Sequence, residues 1–180
     1  MKPVILTHSG IYFDFTDPEH SDINIIDIAW ALSHICRFTG HVQSFYSVAQ
    51  HSVLVSYLVP PEHAMEALLH DASEAYLNDL SSPLKQLLPD YRALEAKIEK
   101  AIFDRFNIKL PLNPCIKQAD MTALCTERRD LMPDDNGVFD WFEGTNIKPI
   151  DVQIIAEDSD IAYYLFMDRF NELKEMEAIK

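Results

Sequence analysis

Apolar residues in this 180-residue chain recur every three or four positions over long stretches, and that period commits most of the sequence to amphipathic helices. Ile25, Ile28, Ala29, Leu32, Ile35 and Cys36 form one such stripe, with Asp22 or Asn24 placed to cap it and Gly40 to end it. Ser47 followed by Gln50 is a capping-box pattern that opens a helix running through Tyr57. Pro60-Pro61 closes that helix, and Pro61 suits the first position of another, predicted over Glu62 to Tyr76 with Met65, Leu68, Leu69 and Ala72 inward. Pro89-Asp90 starts a helix carrying Leu94, Ile98, Ile102 and Phe106, and Asn113-Pro114 caps one that reaches about Leu131. A last helix is predicted from Asp151, with Ile154, Ile155, Ile161, Leu165, Phe166 and Leu173 as its stripe. Asn78 to Pro83 reads as a polar loop, and Asp134 to Pro149, holding Trp141 and Phe142, as an irregular connection. Val4 to Phe15 alternates loosely around Ser9-Gly10, which allows a short β-hairpin. The expected architecture is all-α, a bundle of about six helices in one domain over residues 1–180.

Composition narrows the function classes. With 15 Lys and Arg against 29 Asp and Glu, the net charge of −14 repels polyanions, so binding to nucleic-acid polymers or to anionic membranes is not expected. Any phosphate the protein handles must meet local cations. Cys36, Cys115 and Cys125 lack paired metal or redox spacing, and their odd number makes a poor disulfide framework, which fits a reducing cytoplasm. The apolar stretch before Thr7 and His8 is too short for a signal peptide, and no run is long enough to span a membrane, so a cytoplasmic location is expected.

The adjacent pair His70-Asp71 lies among apolar neighbours, where an ionised aspartate is costly unless it is engaged. Imidazole and carboxylate together suit a divalent cation, and His51, one turn into the helix after the Ser47 cap, and Asp120, on the inward stripe of another helix, can supply further ligands. Taken alone, a buried His-Asp pair is more often satisfied core polarity than a metal site. Glu74 follows His70 by one turn and could reach a metal-bound water. The stretch is not the H-E-x-x-H of zinc proteases.

The ordered set His51, His70-Asp71, Asp120 resembles the H…HD…D signature of the HD-domain phosphohydrolases. The strings IAWALSHICRFTGH, FYSVAQHS, LLHDASEAYLNDLSSPLK and IKQADMTAL, over roughly residues 26–131, are most similar to the small bacterial and phage members that resemble 5′-deoxynucleotidases. The resemblance implies an HD-type helical bundle in which His51, His70, Asp71 and Asp120 hold one divalent ion; Co, Mn, Zn, Fe and Mg are not distinguished. It further implies that Glu74 acts on the attacking water and that Asp79 positions substrate or water. Arg37 and Phe38 look like that family's pair for phosphate and base, and Lys85 like its phosphate-side lysine. Phe38 stands where the bacterial deoxynucleotidases carry Trp, and Asn78 replaces a common Gly.

The expected activity is a metal-dependent hydrolysis of the 5′-phosphate ester of deoxynucleotides, with monophosphates favoured because few spare cations lie near the motifs. Triphosphates cut to release triphosphate are the alternative, and a non-catalytic nucleotide-sensing module is the alternative of another class. His41, beside Gly40, is a further candidate for substrate contact. His8, His20 and His63 are read as solvated, His34 as packing, and Glu127 to Asp130, which includes Arg128-Arg129, as a solvated helix face. Trp30, Tyr163, Tyr164 and Phe166 suggest core or a subunit interface, consistent with a homo-oligomer, and Cys36 and Cys125 suggest small buried hydrophobes.

Overall fold

The computed structural model describes residues 2–178 and is mainly helical, with a short two-stranded antiparallel hairpin at its N-terminal end. Strands β1 (Val4–Leu6) and β2 (Tyr12–Asp14) pair so that Ile5 faces Phe13 across the ladder. Gly10 takes a left-handed conformation (φ 80°) in the connecting turn, where a side chain would be strained. Eight α-helical segments follow among the described residues: α1 (Ile25–His34), α2 (Val48–Tyr57), α3 (Ala64–Leu68), α4 (Glu74–Leu77), α5 (Ser82–Lys85), α6 (Pro89–Arg105), α7 (Pro114–Leu131) and α8 (Ser159–Ala178).

Capping chemistry fixes several of these starts. The side chains of Asn24, Ser47 and Asn113 accept the backbone N–H of Asp27, Gln50 and Cys115, opening α1, α2 and α7. The core lies where α1, α2, α3 and α8 pack together; Ile28, Leu32, Val48, Leu68, Leu69 and Phe166 are fully buried there, joined by Ile98 and Ile102 of α6. A second cluster, Val55, Ala67, Ile116, Ala119 and Ala123, seats α7 against α2 and α3. The hairpin joins this body through Phe13, which stacks on Tyr76 of α4 with ring centroids 4.0 Å apart.

Three expected helices differ from those found. The first ends at His34, not near Gly40: Cys36 forms an antiparallel bridge with Ser47, and the Arg37 N–H donates to the Tyr46 carbonyl (2.9 Å), which draws the chain out of the helix. The predicted helix over Glu62 to Tyr76 is broken into a 3-10 turn (Pro61–His63), α3, a run of tight turns and α4. Its interruption follows from a competing bond, because the His70 Nδ1–H donates to the Ala67 carbonyl (2.7 Å) and the backbone there tightens to i→i−3 pairing at Ala72 and Glu74. The last helix begins at Ser159, not Asp151. Residues 151–158 run extended instead, held by the Ile154 N–H on Asp130 and by Gln50, whose side chain donates to the Ile155 carbonyl and accepts the Glu157 N–H. The buried face of α8 is Ala162, Phe166, Phe170 and Leu173, while Ile155, Ile161 and Leu165 are exposed. The loop after Asn78 also contains the single turn of α5.

Phe166 anchors α8 against α1 and α2 without solvent exposure. Phe166→Ala should destabilise the fold by about 3–5 kcal/mol through lost burial and the cavity left behind, as measured by the midpoint of urea unfolding.

Candidate metal centre

The turn after α3 and the facing surfaces of α2 and α7 bring the four expected ligands to one place. His51 lies in the first turn of α2, fully buried, with Nε2 3.4 Å from Asp120 Oδ1 and 3.6 Å from Asp71 Oδ2. His70 Nε2 lies 3.3 Å from the same Asp71 oxygen. Ligand atoms of His51, His70 and Asp120 lie within 4.8 Å of one another, and this group could hold a metal ion.

The hydrogen bonding leaves both imidazoles ready for a cation. His70 spends Nδ1–H on the Ala67 carbonyl, and His51 spends Nδ1–H on Glu127 Oε1 at 2.6 Å. Each ring therefore presents an unprotonated Nε2 in its neutral form, and both Nε2 atoms are buried without a hydrogen-bond partner. Two orphaned nitrogens opposite two carboxylates make a donor set of mixed N and O, suited to divalent transition metals. The local field favours positive charge. Burial and Arg37 oppose protonation of His51, yet Glu127 and Asp120 outweigh them and raise its pKa to about 9. Burial would raise the Asp120 carboxyl, but His51 and His70, helped by Lys117 at 2.8 Å, hold it well below the usual range.

Glu127 ties this group to the rest of the bundle. Besides His51, it accepts Arg37 Nε–H (3.2 Å) and Nη2–H (3.1 Å) through Oε2, all within the buried interior. Burial works against its ionisation, but Arg37 and His51 bring its pKa down to about 2. The expectation of a solvated face at Glu127 is thus corrected: Glu127 is fully buried, whereas Arg129 is exposed and pairs with Asp130. A signal existed, since Glu127 lies seven residues after Asp120 and two helical turns return it to the same face.

The remaining candidates fall in different settings. Arg37 directs Nη1 toward Asp71 Oδ2 at 3.7 Å. Glu74 is buried at the start of α4; Lys85 Nζ donates to its Oε1 at 3.4 Å, and its Oε2 has no partner. Burial, reinforced by Asp71 and Asp79, raises the Glu74 carboxyl well above its ordinary value, and burial also raises that of Asp79. Lys85 gives its strongest bond to Glu95 (2.6 Å). Phe38 packs near Trp141, ring centroids 6.4 Å apart, with the Arg37 guanidinium 5.3 Å from its ring. His41 is exposed at the end of the Arg37–Gly40 turn. A cavity of about 560 Å³ adjoins the acidic residues and is lined by Glu74 and Asp79 together with Ala31, His34, Cys36 and Thr39; the four metal-binding candidates do not line it.

No family model matches the chain. It is 46% identical over 172 residues to the Escherichia coli (strain K12) protein named uncharacterized protein YfdR, and the match covers 96% of each chain. The chain belongs to the YfdR family. An uncharacterized Rhodobacter capsulatus protein is 33% identical over 137 residues, which cover 68% of this chain and 70% of that one. The four elements of this chain described above, α2, the turn after α3, α4 and α7, lie between Val48 and Leu131.

Glu127→Ala should leave the buried Arg37 guanidinium with only its longer contact to Asp71 and free the His51 ring to turn. The expected loss is about 3–5 kcal/mol of stability in urea unfolding, together with a roughly 10- to 100-fold weaker affinity for added divalent metal by calorimetry.

Proposed function

We propose that the protein is a divalent-metal-dependent phosphohydrolase of the HD-domain type that cleaves the 5′-phosphate ester of deoxynucleotides, with monophosphates preferred. The observation that carries this reading is the pair of buried imidazoles, each pinned at Nδ1 and bare at Nε2, opposite Asp71 and Asp120. His51, His70, Asp71 and Asp120 would hold the ion, which when bound supplies a Lewis acid for a phosphoryl oxygen and acidifies the attacking water.

The protein's own groups account for the remaining work. Glu74 has an unpartnered, buried Oε2 and a raised pKa, so it can take a proton from the nucleophilic water and return it to the leaving 5′-oxygen. Arg37 keeps Nη1 out of its bonds with Glu127, and that edge can donate to a phosphoryl oxygen while Glu127 fixes the guanidinium plane. Asp79, half-buried beside the cavity, can orient water or a sugar hydroxyl. In this reading Phe38 offers the base a stacking surface on the side of the turn where Trp141 lies. The preference for monophosphates is supported by the cations at hand: Lys85 is shared between Glu74 and Glu95, and Arg37 is largely committed to Glu127. A triphosphate would bring further negative charge near Glu74 and Asp79, where these two cations are already engaged. A one-ion nucleotide hydrolase in the cytoplasm is consistent with the acidic composition and the unpaired cysteines.

The test is a screen of deoxy- and ribonucleotides with Co, Mn, Zn, Fe and Mg, identifying both products by chromatography. Inorganic phosphate and a deoxynucleoside are the expected products. His70→Ala and Asp71→Ala should each abolish release and lower bound metal by elemental analysis, since a site short of one ligand opens to water. Full metal occupancy in both would show that the ligands lie elsewhere. Glu74→Gln should keep metal and fold but lose about 10²- to 10⁴-fold in kcat.

A further inference from the structure

The N-terminal hairpin lies outside the stretch that carries the metal-site motifs, yet it builds one wall of the cavity beside them. Ile5 of β1 lines that cavity with Ala31, Ile35 and Thr39, and Glu74 and Asp79 supply its carboxylates. Its volume, about 560 Å³, suits a small organic ligand, and among the described residues no Lys or Arg lines it, so a phosphate group is not what it accommodates. Two of its lining residues, Thr39 (φ 55°) and Asn78 (φ 69°), hold left-handed backbone that a β-branched or bulky residue rarely adopts. Such strain persists where surrounding structure fixes it, and it gathers at ligand sites.

His34 lies in the same wall, exposed to solvent, with its ring and its Nδ1 both held by Trp30. Its ring stacks on Trp30 with centroids 4.5 Å apart, and Trp30 stacks in turn on His8 of the hairpin turn at 4.0 Å. That turn is itself fastened, because the Ser9 N–H and hydroxyl both donate to the Asp27 carboxylate at 2.7 Å. His34 Nδ1 lies 2.8 Å from the Trp30 carbonyl, which can only accept, so Nδ1 carries the proton. In the neutral ring Nε2 is then a hydrogen-bond acceptor of fixed orientation in a cavity wall.

We propose that His34 is a specificity-determining residue that accepts one hydrogen bond from the nucleoside half of the substrate, held in this cavity by the hairpin and the His8–Trp30–His34 stack. The proposal rests on the phosphohydrolase reading for the identity of the ligand. The donor it selects is either an exocyclic amine of the base or a hydroxyl of the sugar, both of which present an N–H or O–H to a lone acceptor.

The experiment titrates the 5′-monophosphates of deoxyadenosine, deoxyguanosine, deoxycytidine and thymidine, and the four free deoxynucleosides, into the full chain in the presence of a chelator. Calorimetry then reads binding without turnover. His34→Phe keeps a ring on Trp30 but removes the acceptor, whereas His34→Gln restores an acceptor without the ring. The Phe variant should bind the tightest ligand about tenfold more weakly and rank the ligands less steeply, and the Gln variant should recover most of that loss. Circular dichroism melting confirms that both fold. A 2′,3′-dideoxy analogue of the tightest ligand identifies the donor: an effect of His34→Phe that vanishes with the analogue marks the sugar hydroxyl, and one that persists marks the base amine. Wild-type affinities retained by His34→Phe, or rescue by Phe rather than Gln in a comparison with His34→Ala, would overturn the proposal and leave the nucleoside to Phe38 and Trp141. Failure of the broader reading looks different: no phosphate release by wild type with any metal, while His34-dependent nucleoside binding remains.

Discussion

The contact on which the site depends is the carboxylate of Glu127, fully buried between an imidazole and a guanidinium. A charge in that position would be prohibitive alone, because desolvation of an isolated carboxylate far exceeds what a domain's stability can absorb. Three charge-assisted hydrogen bonds from His51 and Arg37 make it tolerable. The arrangement then dictates much else. Arg37 must leave the end of α1 to reach it, which explains the early stop at His34 and the bridge between Cys36 and Ser47. His51 must present Nε2 outward, toward Asp71 and Asp120, because Nδ1 is taken. The same carboxylate therefore fixes a tautomer on one side and a guanidinium plane on the other, the two orientations that phosphoester chemistry would need.

Charge balance within the group favours a bound cation. His51, His70, Asp71 and Asp120 bring two negative charges and two neutral nitrogens, with Glu127 and Arg37 compensating each other behind them. Left to itself the cluster draws a proton onto His51, whose pKa rises to about 9 against the opposition of burial and Arg37. A divalent ion meets the same demand with two charges and also satisfies the buried Nε2 of His70, which a single proton on His51 leaves without a partner. The acidity of the chain as a whole, with a net charge of −14, adds to the field that would concentrate cations there, and under the proposed function it leaves Arg37 and Lys85 as the local groups to face an anionic substrate.

The residues that announced themselves in the sequence were those whose chemistry conflicts with their neighbours. His70-Asp71 in an apolar run, and Asp120 on an inward stripe, are out of place in a core unless they share a purpose, and the structure brings them together with His51. Caps with a definite hydrogen-bonding rule were equally legible: Ser47 and Asn113 accept the N–H groups that their positions demand. Periodicity failed where a tertiary contact outbid the helix. The stretch from Glu62 to Tyr76 has a continuous helical pattern, but His70 claims a carbonyl of the preceding turn. At the C-terminal end Ile154 and Ile155 extend the apolar pattern of α8, yet Gln50 and Asp130 bind that segment in extended form.

Glu127 and the wall around His34 were hard to read for a different reason. A Glu between Thr126 and Arg128-Arg129 looks like surface; its spacing from Asp120 hints otherwise, but the partner ninety positions earlier in the chain, Arg37, decides the matter. The wall beside His34 forms only when the hairpin lays His8 on Trp30 and brings Ile5 to the cavity. In both cases the deciding contact joins elements far apart in sequence, where local pattern carries no information about which charge or ring will arrive. The candidate metal ligands sit on α2, α7 and the turn between α3 and α4, whereas the cavity wall is shared by α1, α4 and the hairpin. Under the proposed function the bundle would hold one reactive centre constant while the hairpin and the end of α1 vary the shape of what is presented to it, so that chemistry and selectivity would fall to separate parts of the chain.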